Sequence, residues 1–230
     1  MASINIIRVS FFYTNRNYCC RTLSLLNNLQ VIMSNSFNRT TLVKDPSLTE
    51  AFLTKILSGC NTIQVKKGDY ILRKGDVQRQ SFYVQKGLLR YYSIDDKGKE
   101  HILQFAPQGW FVSDRQSACL SMKSDFFIDA LEDSEVVVVH EDFIIESTKQ
   151  NHDFLELNNR LLHNHIRQLQ NRINQLLSYT AEERYLDFVG TYPDILLRVP
   201  QWMVASYLGI TPESLSRVRK ELSERNQKKR

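Results

Sequence analysis

Between residues 63 and 140, short apolar runs alternate with turn signals. Gln64-Val65 gives way to Lys67-Gly68-Asp69, Tyr70-Ile71-Leu72 to Lys74-Gly75-Asp76, and Phe82-Tyr83-Val84 to Lys86-Gly87. Residues 88–93 run into Asp95-Asp96-Lys97-Gly98, and residues 100–105 into Pro107-Gln108-Gly109. Glycine adopts positive φ at such turns, and Asp tolerates it. Strands spaced about 8–12 residues apart predict an all-β sandwich or barrel. Residues 126–130 and 135–140 add two more strands.

Beyond residue 150 the period changes. Leu162, Ile166, Leu169, Ile173 and Leu176 are spaced 4, 3, 4 and 3, flanked by Arg160, Arg167, Gln168 and Arg172. That is the seam of a long amphipathic helix over 150–178. Leu155 and Asn159 extend it backwards. The stripe can close on its own domain or pair with a second copy. A long helix following a β domain favours the second, which gives the functional unit two-fold symmetry.

Residues 181–222 predict a helix-turn-helix. Pro200 stands early in the first helix, where proline is accepted. Ala205 is small where two helices would cross, and Gly209, four residues on, suits a left-handed turn. Ile210 is apolar, Thr211 is a good N-cap and Pro212 a good first helical residue. Leu215, Val218 and Leu222 give the second helix one buried face, and Glu213, Ser214, Arg217 and Lys220 give it a polar one.

Charge adds to this at one end only. The net charge is +5, and Arg8, Arg16 and Arg21 of the acid-free first 32 residues supply three of it. The last 14 residues hold seven basic residues against Glu221 and Glu224, an asymmetry that suits a polyanion partner. An apolar fraction of 42% and a charged fraction of 24% are ordinary for a globular chain. No apolar run reaches the length of a membrane span. Cys19, Cys20, Cys60 and Cys119 form neither a disulfide framework nor a CxxC pair, which fits a reducing compartment.

The chemistry of an enzyme is poorly represented. A jelly-roll metal site needs convergent histidines and a carboxylate. His101 and His140 stand far apart, and His163 and His165 do not share a helix face. No GxSxG elbow occurs. No metal or cofactor is expected, and no catalysis.

β-roll, long helix and helix-turn-helix in this order resemble the Crp/Fnr family of bacterial transcription regulators. The resemblance covers roughly residues 48–224. It rests on GDYILRKGD (68–76), FYVQKGLLRYY (82–92), DDKGKEHILQF (95–105) and VASYLGITPESLSRVRKEL (204–222). It implies an α+β chain with a cyclic-nucleotide-binding-like, jelly-roll-like domain over 34–149. A dimerisation helix over 150–178 and a DNA-binding domain over 179–230 complete it. The implied partners are double-stranded DNA and a second copy, with RNA polymerase a further candidate, in the cytoplasm and without membrane attachment.

By position, the resemblance implies that Glu213 and Arg217 read bases while Thr211, Ser214 and Lys220 touch phosphates. Pro212 stands where some members have a base-reading Arg, so the target sequence should differ. The effector pocket falls at Gly109, Trp110, Ser124 and Asp125. Cyclic-AMP binders show Gly-Glu and, about ten residues later, Arg-Ser. Here Trp110 offers no carboxylate and Asp125 would repel a phosphate, which speaks against cyclic AMP and leaves the effector unnamed. The cysteines do not match the iron–sulfur branch. With eight residues after Leu222, no C-terminal wing hairpin is expected.

The leading function is thus a homodimeric DNA-binding transcription regulator. A ligand-sensing interaction protein whose helix-turn-helix only contacts a protein partner is the alternative, and a cupin-like metal enzyme the third reading. Residues 1–33 form an extension without sustained period. Met33 as the native start, followed by SNSFNRTT, and a basic presequence both fit it.

Overall fold

In the computed structural model, which describes residues 57–227, the predicted strands form two four-stranded antiparallel sheets. These residues belong to a unit spanning Asn38–Arg230; the other unit, Met1–Phe37, and with it the extension over 1–33, lies outside the described residues.

The first sheet has the order β1 (Asn61–Val65), β8 (Ser134–His140), β3 (Gln80–Lys86) and β6 (Phe111–Val112). The second has the order β2 (Tyr70–Leu72), β7 (Phe127–Ala130), β4 (Leu88–Ile94) and β5 (Glu100–Pro107). Alternation along the strands puts Val84, Val136 and Val138 of one sheet against Leu72, Leu89 and Ile128 of the other. The odd-numbered partners Val137 and Val139 turn outward on β8, under Leu57, Phe143 and Ile144.

One glycine is fixed by geometry. Gly87, at φ +99° between β3 and β4, sits so close to Ser134 that a Cβ would fall 2.2 Å from its hydroxyl oxygen and 2.8 Å from its Cα. No L side chain satisfies both limits.

β5 carries one residue more than its partner at the step between Tyr91 and Tyr92. Arg90 faces Phe105 and Tyr91 faces Gln104, but Tyr92 faces Ile102. The bulge brings Ile102 and Phe105, three apart in sequence, to the same outer face as Leu88 and Tyr92. That apolar outer face is where the helical part of the chain docks.

The helices are α1 (Arg115–Leu120), α2 (Glu141–Gln150), α3 (His152–Ser178), α4 (Ala181–Thr191), α5 (Ile195–Arg198), α6 (Gln201–Leu208) and α7 (Pro212–Gln227). β6 and α1 were not expected from the sequence. Asn151 starts α3 by accepting the Asp153 and Phe154 amides at 2.9 and 3.2 Å. α4 opens on a capping box, with Thr180 accepting the Glu183 amide and the Glu183 carboxylate accepting the Thr180 amide.

α4, α6 and α7 enclose a core of Phe188, Tyr192, Val204, Leu208 and Leu215, continuous with the outer face of the second sheet. Phe105 meets Phe188, Tyr192 and Tyr207 at ring-centroid distances of 6.1, 6.0 and 5.7 Å. Polar ties reinforce this seam. Arg198 donates to Glu132 and to the Gly87 carbonyl.

Beneath it, Arg90 is almost wholly buried and pairs with Asp129 through two bonds of 2.7 and 2.9 Å and with Glu100. Its pKa is raised because these carboxylates outweigh the desolvation that would otherwise lower it.

Candidate nucleic-acid interface and cleft

α6, Gly209 and α7 form the expected helix-turn-helix. Pro200 is the N-cap of α6 rather than its first helical residue. Gly209 adopts φ +67°, and its amide and that of Ile210 return to α6 carbonyls. A Cβ there would also stand 3.2 Å from Leu176 Cδ2. Ala205 is 1% exposed at the crossing, and Leu215 and Val218 turn inward.

Thr211 Oγ1 accepts the Ser214 amide at 3.2 Å and starts α7. Ser214 is half-buried beside it. Glu213, Arg217 and Lys220 are all exposed and spaced 4 and 3, so they form one solvent-facing stripe. The Glu213 carboxyl is held below its ordinary value by its own backbone amide and the Thr211 hydroxyl, so it is ionised at neutral pH. Lys220 pairs with Glu224 at 3.9 Å, a contact weak enough to yield.

α3 has two stripes. The seam residues Ile166, Leu169 and Ile173 are each more than half exposed, and Leu176 nearly so. Leu162 is half-buried. The stripe one residue earlier faces the body of the protein. It holds Phe154, Leu161, His165, Arg172 and Gln175, of which the last three are polar. Arg172 lies 4.0 Å over the Tyr207 ring, with its pKa lowered by desolvation. Gln175 donates to Asp187 at 2.9 Å.

Between this inner stripe, α2 and the outer face of the first sheet lies a cleft of about 830 Å³ counting its mouth. Phe111, Val139, Ile144 and Leu161 form its apolar walls, with Arg115 and His165 among its polar residues. The four residues expected to form an effector pocket do not line it. Gly109 makes the β5–β6 turn at φ +86°. Trp110 leans instead on Tyr192, at 5.3 Å, because the docked α4 offers it an aromatic face. Ser124 is buried, with its hydroxyl accepting the Phe126 amide at 3.0 Å. Asp125 is exposed.

The sequence reading missed Arg115 because the segment after β6 carried no period, and set His165 aside as half of an HxH pair. The signal that would have found His165 is the polar stripe beside the apolar seam. Among the described residues, no group of three or more His, Cys, Asp or Glu could hold a metal ion. No helix there is long and apolar enough to cross a membrane.

The cyclic nucleotide-binding domain family matches residues 62–151. The regulatory protein HlyX of Actinobacillus pleuropneumoniae is 26% identical over 165 residues, 67% of this chain and 68% of its own length. The fumarate and nitrate reduction regulatory protein of Yersinia pestis is also 26% identical, over 67% of this chain and 65% of its own. Across such relatives the match spans 60 to 68% of their length. The structure of FixK2 from Bradyrhizobium japonicum shares the fold, with a TM-score of 0.63 at 18% identity over 73% of this chain and 86% of its own. In the order of its elements, its helix-turn-helix and its relatives, the chain is similar to regulators of the Crp/Fnr family.

Proposed function

We propose that the protein is a homodimeric, DNA-binding transcription regulator. The observation that carries this is the Glu213, Arg217 and Lys220 stripe on α7, exposed on the outer side of a helix held by the Gly209 turn. Recognition helices of this type enter the major groove and present N-terminal residues to base edges. Arg217 has the planar fork that matches O6 and N7 of guanine, and an ionised Glu213 can accept from the amino group of cytosine. Lys220 and the Thr211–Ser214 turn are placed to meet backbone phosphates, which set register rather than sequence.

The second copy is supplied by the exposed seam of α3. Leucine and isoleucine at 3/4 spacing on a 27-residue helix are self-complementary about a two-fold axis. Two copies would present two recognition helices to two half-sites. The relatives named as regulatory proteins support the same reading.

Selection of duplexes from a random library, followed by titration of the selected site at increasing salt, tests this. The expected result is an inverted-repeat site whose affinity falls steeply with salt. Recovery of no preferred sequence would overturn it.

A further inference from the structure

Two guanidinium groups meet at the junction of α3, α4 and the helix-turn-helix without an acid to pair them. Arg172 of α3 lies 4.0 Å over the Tyr207 ring of α6. One turn further along α3, Leu176 reaches the Gly209 turn, where a Cβ would stand 3.2 Å from Leu176 Cδ2 and 3.9 Å from Nη1 of Arg184 on α4. Both arginines are half-buried. Among the described residues, neither guanidinium makes a hydrogen bond or an ion pair, and Arg184 Nε is buried without an acceptor. Burial lowers the Arg172 pKa and the Arg184 charge adds to that, against a smaller opposing effect of Tyr207 and Tyr192. A guanidinium keeps its proton even so.

The acids of the neighbouring elements are engaged elsewhere. On α4, Glu182 pairs with Arg225, Glu183 caps Thr180 and Asp187 accepts from Gln175. α6 contains no acid, and neither does α3 beyond Glu156. Like charges drawn out of water without a partner are costly. A protein leaves buried donors unmatched only where water or a ligand completes them.

We infer that Arg172 and Arg184 hold a doubly charged tetrahedral oxyanion from solution, inorganic phosphate or the phosphoryl group of a small phosphate monoester. Two guanidiniums balance two negative charges; a carboxylate or a phosphodiester would leave one cation unmatched. The Tyr207 ring covers one face of Arg172, and a guanidinium donates from its edge, in the plane that stacking leaves open. Half-burial lets a small anion enter from solvent without parting the core. Once bound, it bridges α3 to α4 beside the Gly209 turn. The site lies on other elements than the Glu213, Arg217 and Lys220 stripe and does not rest on the DNA-binding reading.

Calorimetry on the full chain with inorganic phosphate, beside the singly charged diester dimethyl phosphate at matched ionic strength, tests the inference. Phosphate should bind saturably, and the diester about tenfold more weakly or not at all. Arg172→Met and Arg184→Met should each abolish binding, Arg172→Lys should retain part of it, and Lys149→Ala, an exposed cation on α2, should bind like wild type. Melting profiles separate this from a packing role. In chloride, Arg172→Met should melt no lower than wild type, because it relieves a like-charge pair and keeps an apolar contact with Tyr207. Phosphate should then raise the wild-type melting point above that of the variant. Absence of saturable binding, equal affinity for phosphate and diester, or unchanged binding in both methionine variants would overturn the site. An equal fall in the melting point of Arg172→Met in both buffers would make Arg172 a packing residue and overturn it too. Loss of duplex affinity in the methionine variants without any response to free phosphate would assign the pair to the DNA backbone, against the inference.

Discussion

Ser206 Oγ accepts the Ile102 amide hydrogen at 3.1 Å, and the same hydroxyl donates to the Glu100 carbonyl at 2.7 Å. β5 is the edge strand of its sheet, so these backbone groups have no neighbouring strand. An uncovered edge invites pairing with other chains. Here α6 covers it, and one side chain meets both a donor and an acceptor. Ser206→Ala should therefore cost about 1–3 kcal/mol, the price of leaving partly buried backbone groups unmatched. Urea unfolding of the two proteins measures it directly, and coincident midpoints would show that water replaces the hydroxyl.

The buried ion pair below this edge should behave more harshly. Arg90 and Asp129 are both under a tenth exposed, and Arg90 cannot release its proton to escape. Asp129→Ala leaves a charge without its main counter-ion, a change that typically costs about 3–5 kcal/mol. A double replacement of Arg90 and Asp129 by apolar residues of similar volume should recover much of that. Stability measured across the four combinations decides it; a single mutant near wild-type stability would mean that Glu100 alone suffices.

Glu132 gives the docked helices a pH dependence. The Arg198 guanidinium holds its carboxyl below the ordinary value. A depressed carboxylate stabilises the fold fully above its unfolded pKa of about 4.3, and that contribution is lost as pH falls through the lower folded value. Both side chains are partly exposed, so solvent screening keeps the effect modest. The stability gap between wild type and Glu132→Gln should close between about pH 5 and pH 3. A gap that stays constant on acidification would exclude the ion pair as its source.

Much of this architecture was legible in the chain. The glycine-punctuated runs 70–72, 82–84 and 135–140 fall inside strands, and the 4, 3, 4, 3 spacing lies within α3. Gly209 takes the left-handed turn that its place in the motif demands. What stayed hidden depended on partners distant in sequence. The β5 bulge exists only relative to β4, so the shared face of Ile102 and Phe105 cannot be read from spacing; period 2 puts them on opposite faces. The contact between Trp110 and Tyr192 is equally illegible, because the two residues lie 82 positions apart. The cleft is formed by segments of no period, and its Arg115 sits on a six-residue helix too short to announce itself.

Arg217→Ala should remove a guanine contact. A good bidentate pair discriminates by about 1–3 kcal/mol, and the loss should relax preference at one base pair in each half-site. Lys220→Ala should instead weaken all sequences alike and reduce the salt slope by about one. Binding measured on the selected site and on its single-base variants separates the two. Identical profiles for both mutants would assign Arg217 to the phosphates.

Dimerisation should be separable from folding. Ile173 is 57% exposed in the single chain, so it contributes little to the body of the protein. Ile173→Glu places a charge at the centre of the seam, where a second copy would bury it against an identical carboxylate. Burying such like charges without partners costs more than an interface of this kind can supply. Light scattering should report monomers, while circular dichroism and the melting profile stay close to wild type. His163→Glu, on an exposed flank of the same helix, should remain dimeric. The monomer should keep weak contact with a single half-site and lose the gain from two sites bound together. A dimer that survives Ile173→Glu would show that the two copies meet elsewhere. A monomer with full operator affinity would show that two-fold symmetry plays no part in recognition.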